Sequence, residues 1–369
     1  MRPLKIGIDA RELCGHSTGV GRYLGGLLRE WHASGESQRH EFVLYAAEPL
    51  PLPFPSDQFR TRIVAGPPGT WWEQARLPRA VAGDAIDVFF APAYTFALRL
   101  QVPTVVAIHD ISFIAHPEWF GVREGLRRRW LTTQSAARAR TIITISEFSR
   151  REIIERLNIA PSRVVVIPPG IATDDTPDTA RSGGILYVGS IFNRRRVPDL
   201  IHAFAPIARA YPPVTLDIVG DNRSHPHQDI RGLIAREGLE AQALWRAYVP
   251  DEALRTLYHN ARAFAFLSEY EGFGLTPLEA LAAGVPPVLL DTPVARESCG
   301  AAALYVQPGR TAELTDALLA LLFDEGTRRR LLTAAPLVLT RYAWREAARD
   351  TLATLVASAD ERAAPEPPR

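Results

Sequence analysis

Ser268-Glu269-Tyr270-Glu271-Gly272-Phe273-Gly274-Leu275-Thr276-Pro277-Leu278-Glu279, continuing through Ala280-Leu281-Ala282-Ala283-Gly284-Val285-Pro286, carries more local information than any other part of the chain. An apolar run, Ala261 to Leu267, precedes it and reads as a buried strand. The glycines then turn the chain, and a short helix follows. Thr276 suits the N-cap, Pro277 the first helical position, and Glu279 stands three residues after that cap. Gly284 closes the helix. The order is therefore strand, glycine loop, helix. The unpaired amides at such a helix start form an anion site, and the glycines let a ligand approach the backbone.

Glu271 and Glu279 bracket this loop. Glu279 can serve as a capping-box carboxylate or as a ligand contact. Glu271 lies off the helix, where a phosphate would repel it, so its natural partners are neutral hydroxyls such as those of a sugar. With seven residues between the glutamates and Gly-Phe-Gly inside them, the stretch resembles the Glu-x7-Glu signature of retaining glycosyltransferases of family 4. Two glutamates at this spacing are weak alone. Tyr-Glu-Gly-Phe-Gly-Leu and Leu-Glu-Ala-Leu-Ala-Ala-Gly-Val-Pro in register make the match specific. The resemblance implies an α/β GT-B fold, two Rossmann-like doubly wound domains facing across a cleft. It implies that Glu271 meets the donor sugar, that Glu279 meets the ribose, and that the amides around Gly272, Phe273, Gly274 and Leu275 hold the diphosphate.

Composition agrees with a two-domain protein. At 369 residues the chain exceeds one ordinary core. A net charge of +1 gives no pull toward nucleic acid. The nine histidines show no metal-ligand spacing, and no Asp-x-Asp stands out, so neither metal nor cofactor is expected. Cys14 and Cys299 make no disulfide framework. Met1-Arg2-Pro3 leads straight to a strand without a signal-peptide pattern, and no apolar run approaches the roughly 20 residues of a membrane span. The expected location is cytoplasmic. Lys5 is the only lysine, so arginine is expected where relatives use lysine.

Strand, glycine and helix signals alternate along the chain, which argues for parallel sheets with ligands at strand C-terminal ends. Lys5–Ala10 is the first strand. Thr18-Gly19-Val20-Gly21 then reads either as a plain turn or as a loop whose amides face an anion; the resemblance brings Gly19 and Gly21 to the donor phosphates. Phe42–Tyr45, Ile63–Ala65, Asp87–Ala91 and Val105–Asp110 follow as strands. His109 and Asp110 end the last of these. Together with His116-Pro117-Glu118-Trp119-Phe120 they resemble the mannosyltransferase-like members, in which the histidine lies at the donor sugar, while Asp110 shapes its loop. Ser146 reads either as an N-cap or as a contact to phosphate or acceptor. The arginine-rich helix spanning Arg123–Arg140 reads either as a solvated face or as a contact for an anionic membrane or a pyrophosphate-linked lipid.

Residues 1–172, 173–342 and 343–369 are expected as the first domain, the second domain, and a helix crossing back to the first with a frayed tail. Asp174–Gly184 is the linker. In the second domain, Tyr187-Val188-Gly189-Ser190 followed by Asn193-Arg194-Arg195-Arg196 resembles the family's glycine and arginine-lysine motif. Arg194 falls on its arginine and Arg195 on its lysine, a change that puts the contact geometry in question. Guanidinium forks suit phosphate oxygens. By resemblance, the backbone near Gly220 and Val249 receives the base.

The expected activity is retaining hexosyl transfer from a nucleotide sugar, GDP-mannose first, to a saccharide or lipid-linked saccharide. No side chain is an obvious nucleophile, and the resemblance implies front-face attack, with the donor phosphate helping to take the acceptor's proton. UDP-glucose, UDP-GlcNAc and GDP-fucose are alternative donors. An epimerase or phosphorylase on this fold, a nucleotide-sugar sensor and a structural partner in polysaccharide assembly are the rival readings.

Overall fold

The computed structural model describes residues 2–15, 19–50, 52, 58–67, 69–172 and 183–360. Thr18, most of the expected linker, part of the proline-rich loop Leu50–Pro55 and the tail Ala363–Arg369 lie outside the described residues.

Two parallel sheets organise the chain. The first holds β1 (Lys5–Asp9), β2 (Glu41–Ala46), β3 (Phe59–Ile63), β4 (Val88–Ala91), β5 (Thr104–Ala107), β6 (Thr141–Thr144) and β7 (Val164–Val166), in the order β3-β2-β1-β4-β5-β6-β7. The second holds β8 (Ile185–Val188), β9 (Leu216–Val219), β10 (Ala243–Arg246), β11 (Ala263–Phe266), β12 (Pro287–Leu290) and β13 (Leu304–Val306), in the order β10-β9-β8-β11-β12-β13. Each sheet runs outward from its first strand in both directions. That is the doubly wound order, with a crevice where the order reverses, between β1 and β4 and between β8 and β11.

Helices cover both faces of the first sheet, so its strands are apolar throughout and alternate between two cores. Phe42, Leu44, Val88 and Phe90 face one core, together with Leu24, Leu27, Trp31, Leu352 and Leu355. Val43, Tyr45, Phe89 and Ala91 face the other, with Leu77, Val81 and Ile153. The first core receives the last helix, Trp344–Asp360. Trp31 Nε1 donates to the Ala348 carbonyl at 2.9 Å. A β-carbon on Gly26 would stand 2.4 Å from the Trp344 ring, so only glycine fits there.

Contacts divide the chain into one unit of Met1–Ala115, Gly121–Gly170 and Ala343–Arg369, and another of His116–Phe120 and Ile171–Tyr342. Placement of the short His116–Phe120 segment with the second unit departs from a single cut near residue 172.

Two edge strands depart from expectation. β3 is Phe59–Ile63, not Ile63–Ala65, and β10 has no counterpart in the sequence reading. Both are edge strands with residues open to solvent, so they lack the apolar run that marks the central strands.

Candidate functional site

In the second unit the crevice lies between the ends of β8 and β11. Gly189 ends β8 at φ 147° and Gly220 ends β9 at φ 149°, a region that favours glycine. A β-carbon on Gly220 would stand 2.0 Å from the Gly189 carbonyl oxygen, so the two strand ends touch backbone to backbone. Ser190 follows, and Asn193–Arg195 forms a single 3-10 turn. That turn aims its arginines at the loop after β11. Arg195 Nε donates to Glu271 Oε1 at 2.7 Å, and Arg195 Nη1 donates to the Ser190 carbonyl at 3.0 Å. Ser268 Oγ donates to the same Glu271 Oε1 at 2.8 Å. The Glu269 amide donates to the Arg194 carbonyl at 2.9 Å, joining the loops through the backbone.

Glu271 is thus held by one oxygen. Among the described residues its Oε2 has no protein partner. Burial opposes ionisation of Glu271, but Arg195 and then Arg194 outweigh it and hold its pKa below the ordinary value. Burial likewise opposes the charge on Arg195, and Glu271 more than restores it, so that pKa is raised. Both groups stay charged. A carboxylate so paired is a weak base, fit to accept hydroxyl hydrogen bonds.

Arg194 is fixed by stacking. Its guanidinium lies 4.4 Å from the Phe192 ring centroid and 5.7 Å from that of Trp119, and its Nε donates to the Tyr270 carbonyl at 3.2 Å. His116 and Trp119 stack on each other at 4.0 Å and stand edge-on to Tyr270. The segment His116–Phe120 thus frames Arg194, a role that its own residues do not announce. No local pattern ties it to a strand end some 75 residues on. Ser268 likewise gives no local signal of its bond to Glu271, because it reads as an ordinary loop serine.

The helix after this loop is Leu275–Ala282, with Gly274 at its N-cap at φ 98°. This corrects the Thr276 cap and the capping box. Pro277 is the third helical residue and lacks an N–H, so Gly274, Leu275 and Thr276 supply the amides without intrahelical partners. Glu279 is the fifth helical residue, too far along to cap, and accepts from the Tyr258 hydroxyl at 3.3 Å. The C-terminal prediction fits: Gly284 N–H bonds the Leu281 carbonyl and Val285 N–H the Ala280 carbonyl, a Schellman closure. Beside the loop, Ser268, Glu271, Phe273, Gly274, Thr292 and Ser298 help line a small open hollow. Val249 lies in the loop after β10, half-buried.

In the first unit, His109 follows β5. Its Nε2 donates to the Pro92 carbonyl at 2.8 Å, and burial lowers its pKa, which fixes a neutral ring with the hydrogen on Nε2. Tyr23 and Tyr94 stand edge-on to it at 4.9 and 5.7 Å. Gly19 and Gly21, expected in a loop, lie in the first turn of the helix Gly19–Ala33. Asp110 shapes its loop: Oδ1 accepts from the Ser112 amide at 2.8 Å and Oδ2 from the Tyr94 hydroxyl at 3.1 Å. Ser146 is the N-cap of the helix Glu147–Leu157, accepting from the Ser149 amide at 3.0 Å. Ser149 Oγ in turn donates to the His109 carbonyl.

Comparison with known proteins agrees with this arrangement. Residues 17–175 match the model described as Glycosyltransferase Family 4, and residues 180–337 the model described as Glycosyl transferases group 1. The glycogen synthase of Mycobacterium tuberculosis is 30% identical over 291 residues, covering 75% of this chain and 68% of that protein. The chain belongs to glycosyltransferase family 4. Within the family it is similar to mannosyltransferases. The O-antigen chain mannosyltransferase B of Escherichia coli is 29% identical over 257 residues, 65% of this chain and 66% of that protein. The GDP-mannose:cellobiosyl-diphosphopolyprenol alpha-mannosyltransferase of Xanthomonas oryzae is 29% identical over 66% of this chain and 64% of that protein. The matched stretches thus span about two thirds of these relatives' lengths. The Anabaena protein HepE, solved with UDP and glucose, superposes with a TM-score of 0.74 at 19% identity over 96% of this family-4 chain and 100% of its own. WaaG, a glycosyltransferase of lipopolysaccharide biosynthesis, does so at 0.70 and 16% identity, over 95% and 99%. Both share the GT-B fold with it.

Proposed function

We propose that this family-4 chain is a retaining hexosyltransferase that moves mannose from GDP-mannose to a saccharide or lipid-linked saccharide during glycoconjugate synthesis. One observation carries the reading. Glu271 is ionised, pinned through Oε1 by Arg195 and Ser268, and open at Oε2, one residue from a glycine loop that leads into a helix N-terminus. Oε2 accepts from the donor sugar's hydroxyls. The Gly274, Leu275 and Thr276 amides and the Arg194 guanidinium take the diphosphate and stabilise its charge as the bond to the sugar breaks. Arg194 and the helix amides supply the charge stabilisation that a metal supplies elsewhere, so in this reading the reaction runs without one. Glu279, with Tyr258, receives the ribose, and His109 meets the sugar through its unprotonated Nδ1. Attack comes from the face the diphosphate leaves, because Glu271 is committed to Arg195 and is no nucleophile.

The similarity to the Xanthomonas mannosyltransferase supports both GDP-mannose and a diphosphate-linked lipid acceptor. HepE's UDP-glucose keeps UDP-glucose as the second donor to test. The protein works on the cytoplasmic side.

A thermal-shift panel of GDP, UDP and ADP and their sugar conjugates, without added metal, tests the reading. A ligand at about 100 times its Kd stabilises by about 2.7 kcal/mol. GDP and GDP-mannose are expected to shift the melting temperature and the others not. No shift with any nucleotide would overturn the proposal.

A further inference from the structure

The helix Val122–Arg138 faces the wrong way for a buried amphipathic helix. Its inward side is mostly small and polar: Gly125, Thr132, Ser135 and Ala136 are buried there together with Leu131. Three of its four large apolar side chains point outward: Val122 is 77% exposed, Leu126 54% and Trp130 58%. Their spacing of four places them on one stripe about 80° wide. Arg123 and Arg127 flank one side of the stripe, and Arg129 the other. Among the described residues no carboxylate pairs with any of these three. A fourth apolar side chain adjoins the helix. Arg127 Nη1 donates to Thr70 Oγ1 at 2.5 Å, and the next residue, Trp71, is 71% exposed.

A solvated basic face would hold its charges outward and its tryptophan inward. Here the tryptophan stands outward beside the charges, at a cost in exposed apolar area that folding alone does not explain. Two indole rings beside aliphatic side chains, rimmed by guanidinium groups without carboxylate partners among the described residues, suit the boundary between lipid headgroups and acyl chains. Arginine stems reach along apolar surface while their heads meet phosphate. The positive rim selects an anionic bilayer over a neutral one.

We infer that Trp71, Val122, Leu126 and Trp130 form a docking surface by which this chain sits on an anionic bilayer, with Arg123, Arg127 and Arg129 binding the headgroup phosphates. The apolar stripe inserts, and the arginine run orients it. The surface lies outside the donor-binding loops, so it stands or falls apart from the proposed chemistry.

The experiment is co-sedimentation of the full chain with vesicles of neutral phosphatidylcholine and with vesicles in which part of it is replaced by anionic phosphatidylglycerol. Wild type should bind the anionic vesicles, bind neutral ones at least about tenfold more weakly, and release as salt rises. The double variant Leu126→Ser, Trp130→Ser should lose binding about tenfold or more. Both positions are exposed, so its melting temperature and its thermal shift with nucleotide should match wild type. Arg123→Gln with Arg129→Gln should weaken binding and blunt its salt dependence. Failure of wild type to bind anionic vesicles, or undiminished binding by the serine variant, overturns the inference. So does a wild-type dimer that the serine variant converts to monomer, since the stripe would then meet a second copy of the chain.

Discussion

The two sheets reverse their strand order at equivalent places, and each reversal is bridged by an arginine and a glutamate. In the first unit, Arg11 follows β1. It donates to Asp9 through Nε at 2.9 Å and through Nη2 at 2.6 Å, and to Glu73 at 2.9 Å. Thr95, beyond β4, donates to the same Glu73 oxygen at 3.1 Å, and Gln74 occupies the other at 2.8 Å. Every oxygen of that glutamate is used within the protein. In the second unit, Glu271 spends one oxygen on Arg195 and Ser268 and keeps the other. Topology and pairing chemistry are therefore alike, and what differs is saturation. A saturated pair is a brace for the strand ends. An unsaturated one, set beside amides without intrahelical partners, keeps an acceptor oxygen open, as the proposed function requires.

The largest expected effect comes from removing the two glutamates in turn. Glu271→Ala leaves Arg195 buried without its partner. It should cost about 3 kcal/mol in urea unfolding and about a hundredfold or more in kcat/KM. Glu73→Gln keeps the neutral Asp9–Arg11 pair and should change unfolding by less than about 1 kcal/mol. Equal costs at the two positions would break the comparison. His109→Ala comes next. It strips the Pro92 carbonyl of its donor and opens a gap between two tyrosines, at about 2 kcal/mol. His109→Gln retains an N–H and should recover most of that stability.

The two carboxylates also respond to pH with opposite sign. The pKa of Glu271 lies below the ordinary glutamate value of 4.5. Its contribution to stability is complete above 4.5 and is lost as pH falls through its lower folded value. The pKa of Glu73 is raised, first by burial and, against the pull of Arg11, by Asp9. Its contribution is present below 4.5 and lost as pH rises through its higher folded value. Unfolding curves from about pH 3 to pH 7 should therefore lose an acid-side slope in Glu271→Gln and an opposing slope in Glu73→Gln. The smallest effect is reserved for Trp119→Ala. It removes one ring over Arg194, worth about 0.5–1 kcal/mol, and should raise the donor KM about three- to fivefold with kcat little changed.

Much of this was legible in the residues because it is local. Buried strands announce themselves as unbroken apolar runs, and Gly189, Gly220 and Gly274 mark strand and helix ends where φ is positive. Local rules misplaced the helix start. Thr276 is a good cap by type, but Gly274 in the left-handed region starts the helix two residues sooner, which takes Glu279 out of any capping box. What could not be read was contact between distant segments. Trp119 over Arg194 and Arg11 against Glu73 depend on topology. So does the outward turn of Trp130, since helical spacing gives a stripe but not the side on which the sheet lies.

Calorimetric titration of GDP and GDP-mannose into wild type and Glu271→Gln tests the central claim most directly. If Oε2 of Glu271 reads the sugar while the amides and Arg194 read the diphosphate, wild type prefers GDP-mannose over GDP. The variant then holds GDP within about twofold and loses about tenfold or more of its GDP-mannose affinity, the weight of one charged hydrogen bond. Equal loss for both ligands, or none for either, would contradict that role for Glu271.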